Sequence, residues 1–143
     1  MKFLISEILN EVSQVTSEIE KISILRKNYS PAMEDVFQWA YNPSVVLFTN
    51  TIPKYTPDQS PDGLALTSLY SEHKRFYMFL KETRINEDRK TILLIQMLEA
   101  LSSKEAKVLE GIITKNIPEV SKTLAETAYP GIFSKSIKIP MEA

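Results

Sequence analysis

A chain of 143 residues, 43% of them hydrophobic, is long enough to bury the core of one domain. Its formal net charge of −1 provides no overall attraction to nucleic acid or to an anionic membrane, and the absence of cysteine excludes disulfides and thiolate metal sites. No apolar run approaches the roughly 20 residues of a membrane-spanning helix. We therefore expect a single-domain, cytoplasmic protein with no membrane partner.

The spacing of the apolar residues and the presence of only 3 glycines predict an all-α fold of seven or eight short helices. A first helix is predicted over residues 2–14. A second follows to Lys27 and begins at Ser17, which forms a capping box with Glu20. The apolar positions predicted to be buried in these two helices are Ile5, Ile8, Leu9, Val12, Ile19, Ile22 and Leu25.

Prolines mark the next boundaries. Ser30-Pro31 predicts the start of a third helix, because serine caps helix starts and a proline there needs no amide partner. Asn42-Pro43 repeats this signal and predicts a short fourth helix. Residues 51–63 contain three prolines and one glycine, which predict an extended surface loop. The buried face of the third helix is predicted to consist of Met33, Val36, Phe37, Ala40 and Tyr41.

The second half of the chain returns to helical spacing. Ser102 with Glu105 forms another capping box, which separates two of its helices. We expect one helical domain over residues 1–133 and an irregular tail over residues 134–143. The predicted helices of this half cover residues 66–82, 87–101, 103–115 and 121–129.

Particular segments then suggest a relationship. EILNEVSQVTSEIEKISILRKN is followed by VFQWAYNPSVVLFTNTIPKY, an aromatic helix that leads to an Ile-Pro loop. Further on, SSKEAKVLEGIITKNIPEVSKTLAETAYPGIF contains a Val-Ser step and a helix that ends in Tyr-Pro-Gly-Ile. In this order, over residues 4–134, the segments resemble the N-terminal region of bacteriophage ATP-dependent DNA ligases of the T-even type.

The resemblance implies the helical DNA-binding domain with which those ligases grip a nicked duplex through its minor groove and phosphates. It implies a stand-alone phage protein in the cytoplasm of an infected bacterium. Ser121 would then cap a helix whose first amides face a phosphate. Two residues depart from the ligase pattern, because Pro118 removes an amide donor and Glu119 places a negative charge beside this position.

Ligase chemistry requires a Lys-x-Asp-Gly motif, whose lysine amine bonds to AMP. The one Asp-Gly of the chain, Asp62-Gly63, has Ser60 in the lysine position, and turn chemistry explains it better. His73 has only Glu72 as a local carboxylate and no second histidine for a metal. We therefore expect no catalytic residue, no cofactor, no metal and no small-molecule substrate.

The first functional hypothesis is a non-enzymatic phage accessory protein that binds duplex DNA non-specifically. Residues 72–143 carry twelve Lys and Arg against ten Asp and Glu, so the second half of the chain supplies the cations. Each phosphate contact adds affinity that falls with salt. The expected contacts are Lys104, Lys107, Lys115, Ser121 and Lys122, with Arg84, Arg89 and Lys90 as flanking phosphate contacts.

The second hypothesis is a protein-interaction module that binds a host or phage factor of replication, transcription, defence evasion or virion assembly. Trp39 is out of phase with Phe37 and Ala40, which predicts an exposed side chain suited to anchor a partner. Packing of Trp39 against the 52–55 loop is the alternative. Glu119 makes the turn before the Val-Ser step acidic, and this favours a protein over DNA.

Overall fold

Serine side chains cap the starts of four of the helices, as the capping signals predict. The protein is described by a computed structural model that covers residues 3–61 and 64–137. In each of the four, the serine Oγ accepts a hydrogen bond from the backbone amide three residues further on, which satisfies an otherwise unpaired donor of the first turn. The four capping serines are Ser17, Ser30, Ser102 and Ser121.

Within the described residues the chain forms seven α-helices and two 3₁₀ helices, and its only β-pairing consists of isolated bridges. The predicted all-α fold is therefore confirmed. The α-helices are α1 Ile5–Ser13, α2 Glu18–Lys27, α3 Pro31–Tyr41, α4 Leu69–Glu72, α5 Glu87–Ala100, α6 Ser103–Thr114 and α7 Lys122–Ala128. The 3₁₀ helices are His73–Phe79, between α4 and α5, and Ile132–Ser134, after α7.

Helix α3 lies at the centre of the domain and packs against α6, α7 and both 3₁₀ helices. The predicted apolar faces of α1 and α3 are buried, except that Tyr41 is half-buried. The prediction for α2 is wrong at Ile19, whose side chain is 80% exposed, because only Leu25 of that helix is fully covered by its neighbours.

The predicted fourth helix does not form after Asn42-Pro43. The Asn42 side chain accepts a hydrogen bond from the Ser44 amide at 2.9 Å, which makes a turn of this segment. The next residues run extended, because Phe48 N donates to Phe79 O at 2.8 Å and Lys81 N donates to Val46 O at 2.8 Å. A partner segment about thirty residues away thus overrides the local helix signal.

The same pairing shortens the helix predicted over residues 66–82. The chain there forms the single turn of α4 and then the 3₁₀ helix His73–Phe79. At Leu80 the backbone becomes extended, with φ −66° and ψ 140°, and joins residue Leu47 in a bridge. A continuous α-helix would place the Lys81 amide inside the helix and remove its bond to Val46.

The Tyr129-Pro130-Gly131 sequence ends α7 and holds it against α2. The Tyr129 hydroxyl donates to Leu25 O at 2.6 Å, and Gly131 has a φ of 79°, a backbone conformation that glycine adopts without strain. Ser134, the first residue of the predicted irregular tail, is the last residue of the second 3₁₀ helix. Residues 135–137 form no helix, and Lys135 pairs with Glu34 at 3.2 Å. The rest of the predicted tail and the Asp62-Gly63 turn lie outside the described residues.

No helix in the described part of the chain has both the length and the apolar character needed to cross a membrane.

Candidate functional site

The exposed face of α6 borders a cleft that brings several of the predicted residues together. Lys104 and Lys107 are three residues apart on this helix and are both exposed, so they lie side by side on its surface. The turn that follows α6, residues 116–119, forms the opposite side. We call the space of about 500 Å³ between them the α6 cleft, and it is lined by Ser6, Asn10, Lys104, Lys107, Val108, Glu110, Gly111, Thr114, Asn116, Ile117, Pro118 and Glu119.

Gly111 lets the turn approach α6. A Cβ atom at this position would lie 2.7 Å from Asn116 O, closer than real Cβ atoms come to backbone oxygens. The close approach also allows Asn116 N to donate to Gly111 O at 2.8 Å. Lys115, between them, has a left-handed backbone with φ 63°, which reverses the chain direction after the helix. The shape of the α6 cleft therefore depends on a glycine that sequence reasoning did not single out.

Tyr41 of α3 holds the other end of the turn. Its hydroxyl donates to Val120 O at 2.6 Å and accepts from Ile117 N at 3.0 Å. Burial raises the pKa of Tyr41, so the hydroxyl stays protonated and keeps its donor at neutral pH. This contact spans 76 residues of sequence between Tyr41 and Ile117, and no local signal predicts it.

The α6 cleft contains charges of both signs. Lys107 Nζ lies 3.8 Å from Glu110 Oε1, and the Glu110 carboxylate also accepts a hydrogen bond from the Tyr55 hydroxyl of the proline-rich loop. Burial raises the pKa of Tyr55, and the bond to Glu110 adds to this effect. Glu119, on the turn, forms no hydrogen bond or ion pair with any described residue. The lysines of α6 therefore do not form an unopposed cationic surface.

Lys115 does not point its charge to solvent, although the residue as a whole is exposed. Its ammonium donates to Trp39 O at 2.7 Å in a partly buried position. Burial lowers the pKa of Lys115 to about 8. The predicted phosphate contact would have to compete with this bond for the position of the ammonium. Trp39 itself is 2% exposed and packs edge-on against Phe76, so the prediction of an exposed tryptophan anchor is wrong.

Lys90 was predicted to flank the phosphate contacts, but its side chain is 1% exposed. The ammonium donates to Leu80 O at 2.5 Å and to Lys81 O at 3.3 Å, and it lies 5.9 Å from the centre of the Phe48 ring. These contacts tie α5 to the extended pairing after the 3₁₀ helix. Such a placement is incompatible with a contact to a phosphate outside the protein.

The other predicted residues lie outside the α6 cleft. Ser121 uses its hydroxyl to cap α7 by accepting from Leu124 N at 3.1 Å, and α7 is only seven residues long. Lys122 is exposed, with its ammonium 5.6 Å from the centre of the Phe133 ring. Arg84 and Arg89 are exposed before and within the first turn of α5.

A second cleft, of about 790 Å³, lies between α3 and the 3₁₀ helix His73–Phe79. His73 lines it and is 8% exposed, with Nδ1 2.6 Å from Asp35 Oδ2. Asp35 is 38 residues earlier in the sequence, which is why sequence reasoning considered only Glu72 as its carboxylate. No group of three or more potential metal ligands occurs among residues 3–61 and 64–137.

A family model matches most of the chain that forms these helices. Residues 8–119 match the model of a family of unknown function, DUF6433. The chain belongs to the DUF6433 family. In this DUF6433 protein the match includes all of α6 and the 116–119 turn, whereas α7 and the Tyr129-Pro130-Gly131 sequence follow it. No curated protein matches the chain.

Proposed function

We propose that this DUF6433 protein is a non-enzymatic binding module whose α6 cleft receives a segment of a partner protein. The observation that carries the proposal is the composition of the cleft, in which two lysines and two glutamates surround an apolar floor. Ligand sites commonly combine apolar walls with a few polar groups and have volumes of about 300 to 1,000 Å³. A volume of about 500 Å³ suits one or two side chains of a partner.

The charges favour a protein over a polyanion. Glu119 adds to the same cleft as Lys104 and Lys107 a carboxylate that has no counter-ion among the described residues, and a phosphate backbone there would meet this negative charge. Of the predicted cations, Lys90 is buried and Lys115 is bonded to Trp39 O. What remains is a surface suited to a partner that carries both charges. The ligase-like segments suggest a phage or host protein as that partner.

Site-specific photocrosslinking tests this proposal. Benzoylphenylalanine in place of Asn116 lies in the α6 cleft, whereas the same group in place of Thr123 lies on the exposed surface of α7. In a nuclease-treated extract of the cells that produce the protein, we expect one stoichiometric crosslinked partner at position 116 and none at 123. Lys107→Glu should abolish the crosslink. Equal crosslinking at both positions, or a crosslink unaffected by Lys107→Glu, would contradict the proposal.

A second candidate function is non-specific binding of duplex DNA by a stand-alone phage accessory protein. The observation that favours it is the exposure of Lys104, Lys107 and Lys122, three of the cations in the segment that resembles the ligases. We would measure the fluorescence anisotropy of a labelled nicked duplex at about 50 and about 200 mM salt, a range over which phosphate-driven affinity falls steeply. If Lys107→Glu with Lys122→Glu leaves both the affinity and its salt slope unchanged, this candidate fails.

A further inference from the structure

Helix α2 has an uncovered face whose charges are complementary to those of a second copy of the same face. The helix packs against α1 and α7, and Leu25 is its one fully buried residue. Ile19, by contrast, is 80% exposed. We propose that this uncovered side, which we call the α2 face, pairs in antiparallel orientation with the α2 face of a second copy and forms a two-fold dimer. The α6 cleft takes no part in this pairing, because none of its lining residues belongs to α2.

The α2 face is a stripe along one side of the helix. The spacing i, i+3, i+4 and i+7, which places residues on one side of an α-helix, is followed by Ile19, Ile22, Ser23 and Arg26. Together with Lys27, these residues line one shallow depression. Ser23 lies midway along the stripe and is small and exposed, so two helices can approach closely there. Ile19 of one copy then covers the aliphatic stems of the other, which removes apolar surface from water.

Two opposite charges near the ends of the α2 face determine the orientation. Glu20 is in the first turn of the helix and Lys27 is in the last, and the helix itself places them about 10 Å apart along its axis. Both are exposed, and neither side chain has an ion pair or hydrogen bond with another described residue. In an antiparallel pair that crosses near Ser23, Glu20 of each copy faces Lys27 of the other. A parallel pair would instead oppose like charges.

Arg26 does not compete with Lys27 for the glutamate of the second copy. Its guanidinium donates to Ala128 O at 3.0 Å and to Thr127 O at 3.1 Å, so its charge is held at the contact between α2 and α7. The helix has 10 residues and is about 15 Å long, so one helix pair buries less than the roughly 1,200 Å² of a stable complex. We therefore expect a weak dimer, with a dissociation constant on the order of tens of micromolar.

Sedimentation equilibrium of the full chain tests the pairing. We would measure the mass from about 5 to about 500 μM protein at about 50 mM salt, where exposed ion pairs are screened least. We expect a monomer–dimer equilibrium that weakens at about 500 mM salt. Ile19→Ser should weaken the dimer at least about tenfold, because the two-fold axis places this residue in the interface twice.

Charge reversal tests the orientation. Glu20→Lys alone, or Lys27→Glu alone, should weaken the dimer at least about tenfold, because symmetry turns two attractive pairs into two repulsive ones. The combined variant Glu20→Lys with Lys27→Glu should recover the affinity of the wild type. An equal mixture of the two single variants should also associate, since each reversed charge then meets an opposite charge. Glu87→Lys, which reverses a first-turn acid on α5, is the matched control and should change nothing. Circular dichroism verifies the fold of every variant.

A single cysteine tests where the helices cross. The chain has no cysteine, so Ser23→Cys introduces one thiol per copy. Mild oxidation should produce a disulfide-linked dimer, because a disulfide requires Cα atoms within about 4.4 to 6.8 Å and the two-fold axis passes near residue 23. Ser103→Cys, the same change at an exposed position of α6, should give no such dimer at the same concentration.

Three results would overturn the inference. The first is a monomer at every concentration, and the second is a dimer that Ile19→Ser leaves unchanged, because another surface would then hold it. The third is a dimer unaffected by Glu20→Lys, since only an antiparallel pair places Glu20 against Lys27. If benzoylphenylalanine in place of Ile19 links to a different protein while the chain stays monomeric, the α2 face belongs to that protein and the inference also fails.

Discussion

Glu105 of α6 accepts a hydrogen bond from the backbone amide of Ser6 in α1, with 2.7 Å between Ser6 N and Glu105 Oε2. Its second oxygen accepts from Leu69 N, the first residue of α4, at 3.1 Å. One carboxylate thus satisfies donors at the start of two other helices, where the helix dipole favours a negative charge. The capping box predicted for Ser102 and Glu105 is only half present, because the glutamate serves these distant amides instead.

Replacement of Glu105 by glutamine should destabilise the fold. A glutamine side chain offers one acceptor oxygen, so one of the two amides would face an NH₂ group and remain unsatisfied. We expect a loss of about 1 to 3 kcal/mol in the free energy of unfolding, the usual cost of an unpaired buried polar group. Urea denaturation of both proteins measures this loss in the free energy of unfolding. Glu126→Gln, on the exposed surface of α7, is the matched control and should change stability by less than about 0.5 kcal/mol.

The pH dependence of the same variant gives a separate prediction. Burial raises the pKa of Glu105, although the amides of Ser6 and Leu69 oppose this shift. The folded protein therefore binds the proton more tightly than the unfolded chain, whose value is 4.5. The contribution of Glu105 to the free energy of unfolding is largest below pH 4.5 and falls as the pH rises through the raised pKa. The stability gap between wild type and Glu105→Gln should thus narrow as the pH rises above 4.5, and a gap that widens would contradict this prediction.

Gly111→Ala should destabilise the protein even though alanine is the better helix former. In an ordinary helix interior this exchange stabilises by about 1 kcal/mol. Here the added Cβ would meet Asn116 O at 2.7 Å and Ile117 Cδ1 at 3.0 Å, so the turn must move. We expect a net loss of about 1 to 3 kcal/mol by urea denaturation, the range for overpacked sites. An increase in stability would show that the turn is not held against α6.

Lys90→Met should be costly, because it removes the donor for two carbonyl groups. The Lys81 oxygen would lose the Lys90 donor, and the Leu80 oxygen would keep only the Thr83 amide and hydroxyl, while the methionine fills most of the volume. We expect a loss of about 1 to 3 kcal/mol in thermal or urea unfolding. Arg89→Met, one residue earlier and exposed, should stay within about 0.5 kcal/mol. Equal effects of the two substitutions would argue against the buried position of Lys90.

Tyr41→Phe should loosen the turn that forms one side of the α6 cleft. The substitution removes the acceptor of Ile117 N and the donor to Val120 O. Hydrogen exchange should show faster exchange of the Ile117 amide, while amides in the middle of α6 keep their protection. Tyr77→Phe is a suitable control, because the half-buried Tyr77 hydroxyl has no hydrogen bond within the described residues. An unchanged Ile117 amide would show that the turn does not depend on this hydroxyl.

The sequence predicted the helices better than it predicted which residues meet in the α6 cleft. The α6 cleft brings together Asn10 of α1, Lys107 of α6 and Glu119 of the turn. Sequence reasoning named the last two, one for DNA and one for a protein partner, without placing them in the same cleft. Asn10 and Tyr55 were missed entirely. Neither belongs to a motif, and their positions depend on contacts with residues far away in the chain.

By itself, the sequence determined the helical class and most helix starts. A serine cap and its amide are three residues apart, and an apolar face repeats every three or four residues, so both depend on neighbours along the chain. Only the tertiary structure decided that Trp39 and Lys90 are buried and that residues 46–48 are extended. It also decided that the 116–119 turn packs closely against Gly111. Each of these features depends on hydrogen bonds or packing with distant segments. The energies of these long-range interactions outweigh local propensity, and no local sequence pattern predicts them.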